Sequence, residues 1–239
     1  MIIALKIIKT FSPSLFKSAY YNLGLRTYQD LIMYYWGMLT FDFRYQVKTS
    51  KIIPVDKLNF GNKKLQSHAV RYRPSPVLCI TKSLRKLKVY DTDVQKTSFV
   101  DYGSGMGRVM ILAAEAEFSS VIGLELSSEL NAICKSNIDQ YLNKRPQNKF
   151  SIVESDAGEF LPPGDVCVFF FFRPFDKTIH DKVMTQIMLS VKQTPRTIYC
   201  LALQCDYNFL KYGMNEICYE TGVTIYTNSS VMGIPHPSN

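Results

Sequence analysis

The chain has 239 residues, 46% of them hydrophobic and 13% aromatic against 20% charged, which supplies a substantial core and excludes a disordered chain or a small scaffold needing staples. The net charge of +8 is uneven: residues 1–96 hold 17 basic and 5 acidic residues, net +12, and residues 97–239 hold 11 and 15, net −4. A basic front half suits an anionic partner or a membrane surface, whereas six scattered cysteines without a C-x-x-C pair argue for free thiols and against a zinc site.

The opening run Met1–Ile8 is interrupted by Lys6 and is too short for a signal core or a membrane span, so the expectation is a soluble, cytoplasmic protein. From Pro13 to Leu39 apolar residues recur at intervals of three and four: Phe16, Tyr20, Leu23, Tyr28, Leu31, Ile32, Tyr35, Trp36 and Leu39. That period predicts helices, separated near Gly24, with the stripe as a packing face. Phe41 to Pro76 has no sustained period and reads as an ordered connection, punctuated by Pro54, Gly61, Pro74 and Pro76. Leu78–Leu87 is predicted as an amphipathic helix.

After Thr97 short apolar runs alternate with helical stretches, the pattern of a parallel sheet built from βαβ units. Strands are predicted at Ser98–Tyr102, Ser120–Glu125, Lys149–Val153, Asp165–Phe172 and Arg196–Leu203. Helices are predicted at Gly107–Glu117, Ser128–Tyr141 and Lys177–Lys192. Val166–Phe172, seven apolar residues without alternation, fits a central strand covered on both faces. Asn215–Glu220 and Val223–Asn228 flank Thr221-Gly222 as an antiparallel hairpin.

The segment Asp101-Tyr102-Gly103-Ser104-Gly105-Met106-Gly107-Arg108 follows an apolar strand and opens a helix. Its glycines let the backbone turn tightly and approach a ligand, with helix N–H groups facing the site. The spacing is G-x-G-x-G, not the dinucleotide G-x-G-x-x-G, and Asp101 would oppose a pyrophosphate while favouring the cationic amino acid portion of S-adenosylmethionine. Glu125 ends the second strand 22 residues beyond Gly103, where a carboxylate can accept both ribose hydroxyls. Asp156-Ala157 follows the third strand, within reach of an adenine edge.

Asp101, Gly103, Gly105 and Gly107 resemble the first motif, D/E-x-G-x-G-x-G, of the class I S-adenosylmethionine-dependent methyltransferases; Glu125 matches their ribose acid and Asp156 their adenine-contacting acid. The resemblance covers about residues 97–228. Upstream, Phe41-Asp42-Phe43-Arg44-Tyr45 and Val70-Arg71-Tyr72-Arg73-Pro74-Ser75-Pro76 are similar to elements of small bacterial methyltransferases of unassigned acceptor and, more distantly, of non-SET protein lysine methyltransferases. The resemblance implies an α/β, Rossmann-like, seven-stranded and mostly parallel sheet with a C-terminal antiparallel hairpin, preceded by a basic helical N-terminal extension that covers the cleft. It divides the chain into that extension, 1–96, and an S-adenosyl-L-methionine-binding methyltransferase domain, 97–239.

Cofactor contacts are expected from Asp101, Gly103, Ser104, Gly105, Gly107, Arg108, Glu125, Asp156, Ala157 and Phe172. Tyr72, Arg173 and Phe175 are the candidates on the catalytic, acceptor side, with Phe172 and Phe175 as its apolar wall. In Phe172-Arg173-Pro174-Phe175 the arginine stands where many amine methyltransferases place Asn or Asp before Pro and an aromatic. A guanidinium only donates and is positive, so it would repel an ammonium and suit an anion. The implied activity is methyl transfer with a protein lysine as leading acceptor. The alternatives are a small anionic metabolite, a non-catalytic cofactor-binding scaffold, and a nucleic-acid methyltransferase recruited by the basic segment.

Overall fold

A computed structural model describes residues 27–54, 58, 72–146 and 149–230. Among the described residues, helices α1 (Tyr28–Tyr45) and α2 (Val77–Tyr90) precede an alternating series: β1 (Ser98–Tyr102), α3 (Arg108–Glu115), β2 (Ser120–Glu125), α4 (Ser128–Leu142), β3 (Phe150–Glu154), β4 (Val166–Phe171), α5 (Lys177–Gln193), β5 (Tyr199–Leu203) and the hairpin β6 (Asn215–Glu220) with β7 (Val223–Thr227). The strands form one seven-stranded sheet in the order β3-β2-β1-β4-β5-β7-β6. The first five are mutually parallel, and β7 runs antiparallel to both β5 and β6. This is the expected α/β, Rossmann-like, seven-stranded and mostly parallel sheet, with the antiparallel hairpin at its edge.

Alternation along the central strands divides the core between the two sheet faces. Phe99, Val168, Phe170 and Leu201 pack with α1 to α4 on one face; Val100, Tyr102, Phe169, Phe171 and Cys200 pack with α5 on the other. Because both faces are covered, the apolar run of β4 needs no polar alternation. The turn between β6 and β7 places Thr221 at φ 48° and Gly222 at φ 84°, the paired positive values of a tight hairpin.

The phase of the first helix differs from the sequence expectation. Leu31, Phe41 and Tyr45 enter the core, whereas Trp36 and Leu39 are 58% and 65% exposed, as is Phe43 at 87%. The buried line thus continues through Tyr45, and the connection expected from Phe41 begins at Gln46, whose left-handed φ of 57° ends the helix. Phe16, Tyr20 and Leu23 lie outside the described residues. Within the connection, Ile53 and Tyr72 exchange backbone hydrogen bonds of 3.2 and 3.0 Å. The fifth strand starts at Tyr199, later than expected: the Ile198 N–H donates to Asn228 Oδ1, and the Arg196 guanidinium donates to the carbonyls of Val166, Ser190 and Thr194.

Candidate active site

The crevice lies at the carboxyl ends of β1, β2, β3 and β4, where doubly wound sheets gather ligands. Its loop leaves β1 after Tyr102 and folds across to β2: the N–H groups of Gly103 and Ser104 donate to the Leu124 carbonyl at 2.8 and 2.9 Å. The N–H of Gly105 donates to Glu125 Oε2 at 3.0 Å. Glu125 Oε1 accepts from the N–H groups of Leu126 and Ser127 at 2.8 and 2.9 Å. Burial raises the Glu125 pKa, and these three N–H groups oppose that rise.

Gly105 has φ +54°, and a Cβ there would stand 2.3 Å from the Tyr72 ring. The absent side chain thus makes room for the extension, which lays Tyr72 over the loop and ties its hydroxyl to the Thr49 carbonyl at 2.8 Å. At Gly107 a Cβ would meet Cys134 Sγ at 2.8 Å, so that glycine lets α4 approach the start of α3.

Asp101 ends β1 only 2% exposed, and its Oδ2 has no hydrogen-bond partner. Burial, with the nearby Glu125 charge, pushes its pKa up to about 8. The Ser104 hydroxyl is likewise buried and unpartnered. An unsatisfied buried carboxylate costs free energy that a cationic or hydrogen-donating ligand would recover. This orphaned oxygen fits the ammonium end of S-adenosylmethionine.

A cavity of about 360 Å³ opens over the loop and is lined by Tyr72, Asp101, Gly103, Ser104, Arg108, Glu125, Asp156, Ala157, Phe172, Arg173 and Phe175 among the expected residues. Gly105 and Gly107 do not line it; both act through the packing just described. The Arg108 guanidinium is 2% exposed and points to the extension, donating to Thr49 Oγ1 and Ser50 Oγ at 2.8 Å and reaching Asp42 Oδ1 at 3.5 Å. It also lies 4.9 Å from the centre of the Phe41 ring. Asp156 accepts from the Gly158 N–H at 2.9 Å, which fixes the turn after β3.

Leu58, Leu126, Leu130 and Ser155 also line the cavity, as do Arg73 and Pro174. The two leucines following Glu125 were visible as its neighbours, but nothing in their spacing set their direction. In the loop after β4, Phe175 stacks on Tyr207 at 6.0 Å, and the Tyr207 hydroxyl donates to the Phe175 carbonyl. His180, at 4.1 Å from the Tyr207 ring, is buried, and burial lowers its pKa to about 4.

Neither a protein-family model nor a curated protein matches the chain. Among solved structures it is similar to a candidate RNA methyltransferase from Pyrococcus horikoshii, at 18% identity over 72% of this chain and 93% of that one, with a TM-score of 0.46. It is similar also to the magnesium protoporphyrin IX methyltransferase of Synechocystis, solved with S-adenosylmethionine bound, at 15% identity, 62% and 77% coverage and a TM-score of 0.44. A ribosomal protein L11 methylase from Lactobacillus delbrueckii shares 12% identity over 60% of this chain and 75% of its own, with a TM-score of 0.42. The fold assignment stands on the strand order and hairpin. Among the described residues, no helix is long and apolar enough to cross a membrane.

Proposed function

We propose that the chain is an S-adenosylmethionine-dependent methyltransferase. The observation that carries this reading is the buried, unpartnered Asp101 Oδ2 beside the glycine loop, in a cavity that also holds Glu125 and Asp156. Asp101 would take the ammonium group, Glu125 the ribose hydroxyls, and Asp156 with the Ala157 backbone the adenine edge. Gly103 and Ser104 would follow the amino acid portion, with Phe172 along the opposite wall.

When bound, the cofactor would supply an electrophilic methyl group on a sulfonium sulfur. The chain's own contribution is orientation and the exclusion of solvent. Tyr72 covers the loop from the extension, while Phe172 and Phe175 present apolar faces to the acceptor. A protein lysine, the acceptor favoured by resemblance, would have to enter as a neutral amine. The basic front half suits an anionic partner or a membrane surface; a nucleic-acid partner would bind with affinity that weakens steeply with salt.

Thermal unfolding with and without S-adenosylmethionine tests the central claim. Ligand at 100 times its Kd should add about 2.7 kcal/mol, a rise of about 5 to 10 °C for a chain of this size. Absence of a shift, with no heat of binding by calorimetry, would overturn the reading.

A further inference from the structure

Building on the methyltransferase reading, we infer that the acceptor is a small molecule bearing a carboxylate or phosphate group, held at the mouth of the cavity by Arg173 and Arg73. Arg173 comes from the loop after β4 and Arg73 from the extension, and both line the cavity. The Arg73 guanidinium carbon lies 5.7 Å from the centre of the Phe172 ring, and Phe172 precedes Arg173 in the loop, so the extension and that loop each bring an arginine to the same cavity.

The surroundings of Arg173 leave its charge available. Its guanidinium makes no hydrogen bond or ion pair among the described residues; only its backbone N–H is engaged, donating to Cys205 Sγ at 3.3 Å. The neighbouring acids have other tasks. Asp206 pairs with Lys177 at 3.2 Å, though it lies within the electrostatic range of Arg173; Asp181 pairs with Lys211 at 2.7 Å; and Asp176 accepts from the Ile179 N–H at the start of α5. Arg173 also holds φ +44°, a left-handed conformation that non-glycine residues adopt at a cost and that often accompanies a functional loop.

Charge is therefore divided along the cavity. Asp101, Glu125 and Asp156 line it at the strand ends, whereas Arg173 lies between Phe172 and Phe175 in the loop after β4 and Arg73 lies over the Phe172 ring. A guanidinium pair recognises carboxylate or phosphate oxygens through charge-assisted, often bidentate hydrogen bonds, and the same pair opposes an approaching ammonium. The aromatic wall suits a flat apolar body between that anion and the nucleophile.

The test saturates the protein with S-adenosylhomocysteine, confirmed by calorimetry, and then titrates phenyl phosphate, benzoate, benzylamine and benzyl alcohol. At least one anion should bind tenfold or more tightly than the amine and the alcohol, and the preferred anion distinguishes phosphate from carboxylate. Arg173→Gln should weaken that anion about tenfold, Arg173→Lys should restore part of the loss, and S-adenosylhomocysteine affinity should stay within twofold in both. Benzylamine binding as tightly as the anions, no anion binding at millimolar concentration, or anion affinity unchanged in Arg173→Gln would overturn the inference. If S-adenosylhomocysteine itself fails to bind, the methyltransferase reading falls, and the same titrations of the free protein judge the arginine pair separately.

Discussion

Asp101 predicts that cofactor binding expels a proton. A carboxyl held at about 8 in the free protein, against an ordinary 3.8, reflects a penalty of several kcal/mol on the charged form. Because the folded-state value lies above the unfolded one, this penalty is absent below about pH 4, grows between about pH 4 and pH 8, and is complete above. The free protein should therefore lose stability as pH rises through that window. A ligand ammonium beside Asp101 favours the ionised form, so binding at pH 6 should release close to one proton from this group, and affinity should climb up to tenfold per pH unit before levelling near pH 8. Calorimetry in buffers of different ionisation enthalpy measures the proton count. The ligand's own α-amino group titrates near 8 in the opposite sense, and Asp101→Asn supplies its baseline. That variant should be more stable than the wild type without ligand at pH 8 and bind about 10- to 100-fold more weakly there. Equal proton release by both proteins, or pH profiles of the same shape, would refute the argument.

Glu125→Ala leaves the N–H groups of Gly105, Leu126 and Ser127 without their acceptor; stability should fall by about 2 to 4 kcal/mol, measured by urea unfolding. Glu125→Gln should lose less. Gly105→Ala combines a strained φ with a clash against Tyr72 and should cost about 2 to 3 kcal/mol, part of it recovered in the double variant with Tyr72→Ala. Arg108→Met removes the buried partner of Asp42, Thr49 and Ser50, and should cost about 3 to 5 kcal/mol in the same unfolding assay.

The sheet was readable because its signals are local. Each βαβ unit announces itself through an apolar run, a turn and a helical period, and the glycine loop with Asp101 and Glu125 lies at strand ends that those signals locate. The rotation of α1 was less readable: aromatic residues surround much of that helix, so Trp36 and Leu39 satisfy the same period as the buried Leu31 and Phe41. What decides between them is the surface of α2 and the sheet, which no interval within the helix records. The cavity wall shows the same division. Asp156 and Phe175 follow from their strands, but Leu58 and Arg73 arrive from a connection whose path is set by contacts distant in sequence. Arg108 adjoins the last glycine and lines the cavity, but the hydrogen bonds of its side chain to Thr49 and Ser50 depend on the distant extension and have no signal in the loop.

That single guanidinium joins the first turn of α3 to the segment just after α1, while Tyr72 binds the same segment through the Thr49 carbonyl and rests on Gly105. The extension and the start of α3 consequently share the hydrogen bonds of Arg108, with Tyr72 packed on Gly105, and separating them would strand polar groups of both. In amide exchange, the N–H of Thr49, donated to Asp42 at 2.9 Å, becomes a distant reporter on the loop. A ligand that quiets Gly105 should quiet Thr49 as well, so α1, remote in sequence from the strands that hold the acids, is tied to the behaviour of the loop.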